Sequence, residues 1–194
     1  MRGTLLLLSI AATLGFTAPA PDNLIVNGSF ELASIKPGRY QDVAAESNAI
    51  EGWTVTLNHI DYVSAGLWAP SDGKYSLDLE GSACNVHATT ACVGGIKQTF
   101  PTVAGQTYHV SFDLAGNLYA GPKVKTIKVS AAGQSQNFTF DVTGHSAAKM
   151  GWTTEHWSFT AKDANTTLEF DSADSTPSLS GWGPALDNVV VTSR

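Results

Sequence analysis

The chain has 194 residues, with 17 acidic against 11 basic side chains, a formal net charge of −6 and only 14% charged residues. So acidic a chain lacks the basic face that a phosphate backbone requires, which excludes nucleic acid as a partner. A 43% hydrophobic content with 18 glycines and little charge is that of a folded extracellular β-protein rather than of a disordered or fibrous one.

In chain order, residues 1–20 read as a secretory signal peptide. Arg2 is the positive n-region, 5–16 the apolar stretch, and Ala18 and Ala20 the small residues before cleavage. The expected mature chain, 21–194, forms one domain, long enough to bury a core. Losing Arg2 takes the charge from −6 to −7. The apolar stretch is too short to span a membrane and no run of about 18 apolar residues follows, so a secreted protein without a membrane span is expected.

Residues 23–31 carry the first strand motif, and 42–50 reads as a short helical loop. Period-2 or continuous apolar spacing then predicts strands at 53–57, 76–79, 96–100, 108–114, 127–129, 138–142, 157–161, 168–170 and 186–191. No segment keeps helical spacing over three turns, so the crossovers of α/β folds are missing. The class is all-β, a two-sheet antiparallel β-sandwich of jelly-roll type. Cys84 and Cys92, with seven residues between them, are the only cysteines and in an exported protein are expected to form a disulfide across a small loop.

Catalytic signals are weak. Asp61, Asp72, Asp78, Asp113, Asp141 and Asp171 lie singly in strands and turns without a motif for a glycosidase pair. The histidines His59, His87, His109, His145 and His156 have no metal-type spacing, and no serine sits in a nucleophile elbow. No catalytic residue is assigned, and a glycan-active hydrolase is the least favoured reading.

Seven stretches carry a family resemblance: "NLIVNGSFE" (23–31), "GWTV" (52–55), "GKYSLDLEG" (73–81), "GGIKQTF" (94–100), "YHVSFDLAGN" (108–117), "MGWTTEHWSFTA" (150–161) and "GPALDNVVV" (183–191). Together they resemble the choice-of-anchor C domain of exported bacterial proteins and its relative, the plant cell-wall family called domain of unknown function six-four-two. The resemblance implies a galactose-binding-like jelly roll, similar to carbohydrate-binding modules and without catalytic activity. Its function would then be binding of a cell-wall or other extracellular polysaccharide, or contact with cell-wall-modifying enzymes.

Two kinds of site follow as expectations. First and last strands of a jelly roll commonly lie side by side, so Glu31 and Asp187 are expected to meet at one sheet edge. There they would hold a structural calcium, with Asn27, Asn188 and the 36–40 loop supplying further oxygens; similar modules hold calcium with matching elements. The competing reading is that Asp187 or Asn188 accepts backbone hydrogen bonds in a turn. For sugar, which needs flat apolar faces and a few polar groups, Trp68, Tyr119 and Trp182 stand in loops rich in Gly, Ser, Pro and Asn. Asn117, Asp61, Asp72 and Lys123 are the polar candidates beside them. Trp53, Trp157, Phe112, Phe138, Phe140 and Phe170 belong to the core.

Overall fold

The computed structural model describes residues 22–83, 93–174 and 181–193. Cys84 and Cys92, and with them the expected disulfide, lie outside the described residues, as does the stretch 1–20 expected to be a signal peptide. Among the described residues there are eleven strands: β1 (Tyr40–Ala44), β2 (Thr54–Leu57), β3 (His59–Ser64), β4 (Tyr75–Asp78), β5 (Gly95–Pro101), β6 (Thr107–Gly116), β7 (Val124–Ala131), β8 (Gln134–Asp141), β9 (Thr153–Thr160), β10 (Asn165–Ser172) and β11 (Pro184–Thr192). They form two antiparallel sheets, one of six strands in the order β1-β3-β4-β11-β6-β9 and one of five in the order β2-β5-β10-β7-β8. No helix among the described residues is long and apolar enough to cross a membrane.

Alternation builds the core. In β7 the inward positions Ile127, Val129 and Ala131 are buried while their neighbours are half-exposed, and β10 repeats the pattern with Leu168 and Phe170. Rings from both sheets meet between them: Phe112 of β6 packs edge-on against Phe138 of β8 and Phe170 of β10, with centroids 5.3 and 5.1 Å away. Trp53, Phe112, Phe138, Phe140 and Phe170 all lie in this core, as expected, whereas Trp157 only packs against it from outside.

Two elements differ from expectation. Residues 42–50 are not helical; 40–44 are β1, paired in register with β3, because Val43 buries its side chain while its neighbours do not. The 23–31 motif is a turn rather than a strand, with Asn27 and Phe30 at positive φ of 54° and 59°. It nevertheless runs beside the last strand: Leu24 N–H donates to Val191 O at 2.9 Å, Val189 N–H to Gly28 O at 2.9 Å, and the Asn23 amide to Val189 O at 3.0 Å.

The Asp187–Asn188 pair marks a β-bulge, where the register of β11 against β6 shifts between Asp187 and Val190. Asn188 takes φ 49°, a conformation that Asn tolerates better than most residues. The extra residue lets Leu186 and Val189, three positions apart, both face the core, after which Val191 resumes alternation.

Candidate binding cleft

The outer face of the six-stranded sheet is acidic for a reason visible in its register. Asp42 of β1 stands opposite Asp61 of β3, which stands opposite Asp78 of β4, so three aspartates form a row across neighbouring strands. One step along the same face come Asp187 of β11 and, opposite it, Asp113 of β6. Like charges so placed repel, and most of these carboxylates are held by donors from the loops that cross the face.

Asp187, wholly buried, takes the Ser71 and Asp72 amides at 2.8 and 3.0 Å through one oxygen and the Asn188 amide at 2.7 Å through the other. Glu31 takes the next two amides of the same loop, Lys74 and Tyr75, at 2.7 and 2.9 Å. The two carboxylates thus meet on the loop 71–75 as acceptors of four N–H groups. Between them Gly73, at φ 63°, lies so close that a Cβ there would overlap the Glu31 carboxylate.

Several of the remaining members of the expected calcium set are engaged with other partners. The Asn27 side chain bonds Leu32 N and O and Glu51 O, the Asn188 amide donates to Asp113 at 3.1 Å, and the carbonyls of Gly38 and Arg39 accept from Ser64. Calcium needs oxygens that converge without competing donors. Here both carboxylates accept backbone amides, so the arrangement fits N–H donors rather than a cation and no calcium is assigned to these residues. Burial pushes the Asp187 carboxyl up to about 7, against the lowering effect of the three amides.

Beside this clasp the face stays open as a cleft of about 420 Å³, within the range of small-ligand sites. Trp68, Asn117, Tyr119 and Trp182 all line it, together with Asp61, Asp78, Arg39 and Tyr40. The four residues proposed for ligand contact from sequence are brought together, but in different capacities. Trp68 is only 2% exposed and donates its indole N–H to Ser76 Oγ at 2.8 Å, so it closes the base of the cleft as a plug.

Asn117 is also buried. Its amide donates to Asp78 at 2.8 Å and to Gly181 O at 2.7 Å, and its oxygen accepts from Tyr119 N, which fixes the loop that carries Tyr119. Tyr119 is 53% exposed, and its hydroxyl reaches Leu67 O at 3.1 Å on the loop opposite. Trp182 is half-buried, its carbonyl taken by the ammonium of the buried Lys125. Asp72 is exposed on the clasped loop and Lys123 is exposed near β7; neither lines the cleft.

Asp61 accepts the Ser82 amide and hydroxyl, both at 3.0 Å, through one oxygen. Asp78 is saturated by the Glu80 and Gly183 amides and by Asn117. Burial raises Asp61 to about 6, Asp78 to about 7 and the neighbouring Glu80 to about 8, and burial lowers Lys125. Sequence reasoning placed Arg39 and Tyr40 in the 36–40 loop as a source of calcium oxygens and did not see them as cleft residues, because the start of β1 at Tyr40 and its pairing with β3 were not read. It saw Asp61 and Asp78 singly because pairing register, which joins them, is not written in spacing.

Residues 23–192 match the family described as protein of unknown function, DUF642. The chain belongs to the DUF642 family. A stretch of halomucin from Haloquadratum walsbyi is 32% identical to this DUF642 chain over 190 residues, 96% of the chain but 2% of that protein's length. Among solved structures, the fold resembles the carbohydrate-binding module TmCBM61, solved with β-1,4-galactotriose, at a TM-score of 0.52 and 15% identity over 89% of this chain and 99% of that one. It also resembles part of the arabinose-bound α-L-arabinofuranosidase MgGH51, at a TM-score of 0.57 and 12% identity over 88% of this chain and 26% of the enzyme. The first of these likenesses shows that this chain has the β-sandwich fold of a carbohydrate-binding module.

Proposed function

We propose that the chain is an exported, non-catalytic protein that binds an extracellular or cell-wall polysaccharide in the cleft between Tyr119, Trp182 and Tyr40. The observation that carries this reading is the convergence of three accessible aromatic rings above a polar floor on one sheet face. Aromatic faces stack on the C–H side of a pyranose while a few fixed polar groups select its hydroxyls. The galactotriose held by the structurally similar module makes a β-1,4-linked galactan the first ligand to try.

The non-catalytic part rests on Asp78. Hydrolysis of a glycoside requires two available carboxyls, and beside Asp61 the neighbouring Asp78 is about 1% exposed with both oxygens engaged. The alternative, an interaction module for cell-wall-modifying enzymes, would use the same exposed rings. A glycan array and a parallel pull-down from a secretome, run with the wild-type chain and with Tyr119→Ala, separate the two. Array binding lost in the variant supports the glycan reading; enzyme capture with a blank array supports the other.

A further inference from the structure

The row of aspartates beneath the cleft has one member that differs from its neighbours. Asp42 is engaged by the His59 ring at 2.6 Å and the Ala83 amide at 3.0 Å, and Asp78 by two amides and Asn117. Asp61 spends one oxygen on Ser82; its other oxygen, Oδ2, has no hydrogen-bond partner among the described residues. The residue is only 5% exposed, yet it lines the cleft. A carboxylate oxygen on the cleft wall is an acceptor that a ligand hydroxyl entering the cleft can use in place of water.

We propose that Asp61 is the specificity-determining residue of the cleft, accepting hydroxyl hydrogen bonds from a neutral pyranoside and turning away polyuronates. The proposal rests on the glycan-binding reading above and names the class of glycan. An ionised carboxylate is an acceptor only, so it pairs with sugar hydroxyls and not with a second carboxylate. Asp42 and Asp78, directly alongside, add to the negative potential that a uronate would meet. Arg39, the cationic residue among those lining the cleft, is solvent-exposed at its mouth, where water screens an ion pair. Tyr119, Trp182 and Tyr40 supply faces that suit any pyranose, so the floor decides between sugars.

The test is affinity electrophoresis of the full chain at pH 7.5 and low salt in gels containing β-1,4-galactan, xyloglucan, polygalacturonate or chitosan. Retardation by a neutral polysaccharide at least ten-fold stronger than by polygalacturonate is expected. Asp61→Asn keeps an oxygen for Ser82 but presents an amide donor to the cleft. It is expected to weaken neutral-glycan binding about ten-fold while melting at or above the wild-type temperature, since repulsion from Asp78 is relieved. Preference for polygalacturonate or for chitosan overturns the proposal, as does Asp61→Asn binding as wild type. Should that variant fail to fold, competition of polygalacturonate against galactan on the wild-type chain decides alone. A folded chain retarded by none of the four takes the glycan-binding reading down as well, whereas neutral binding without dependence on Asp61 removes only this assignment.

Discussion

At the scale of single residues, Asp187 decides between a cation and backbone amides. Its oxygens accept three N–H groups, and Glu31 takes two more from the same loop. With these oxygens taken by amides, thermal melting of the chain is expected to be the same in calcium and in excess chelator. Asp187→Asn, which keeps one acceptor oxygen and sets its NH2 group against at least one of the three N–H donors, is then expected to destabilise by about 1–3 kcal/mol in either buffer. A chelator-dependent melting temperature would instead restore the ion. Tyr119 offers a second residue-level check: Tyr119→Phe loses only the bond to Leu67 O and is expected to hold glycan within about two-fold, while Tyr119→Ala removes the face and loses about ten-fold or more.

At the scale of elements, the N-terminal segment and β11 explain why a motif readable as a strand is not one. Gly28 carries no side chain because the Val189 carbonyl lies against it; a Cβ there would overlap that oxygen. Gly28→Ala is therefore expected to force the segment off β11, breaking the Val189 N–H to Gly28 O bond, and to cost about 2 kcal/mol or more, measured by denaturant unfolding. The same pair shows what sequence carries. Nine strands were legible because Ile127, Val129, Leu168 and Phe170 alternate with polar neighbours. β3 was not, since "HIDYVS" is buried on both sides, with Tyr62 in the core and Asp61 under the cleft, which erases period-2 contrast. For the site, loop composition was enough to gather Trp68, Asn117, Tyr119 and Trp182. It did not distinguish the buried plug and the buried amide from the accessible rings, because burial depends on which loop folds over which strand.

At the scale of the whole molecule, the buried carboxyls make stability depend on pH in one direction. Burial raises Asp61 and Asp171 to about 6, Asp78 and Asp187 to about 7, and Glu80 to about 8, all above their values in an unfolded chain. Between about pH 4 and 8 the folded state therefore holds more protons than the unfolded one, and stability falls as pH rises through that window. Lys125, lowered by burial, works in the opposite sense as a single group. The melting temperature at pH 5 is expected to exceed that at pH 8 by about 5 °C or more; a curve that rises toward pH 8 would contradict the burial described for these groups.

The central claim, that the open part of the acidic face is a glycan cleft, is tested most directly by isothermal titration of the full chain with β-1,4-galacto-oligosaccharides and, in parallel, with the neutral oligosaccharides that score on an array. Saturable binding to at least one neutral glycan, lost in Tyr119→Ala and Trp182→Ala while both variants keep the wild-type melting temperature, is the expected result. A chain that melts cooperatively yet gives no heat with any glycan, or that binds equally well without both rings, would contradict it.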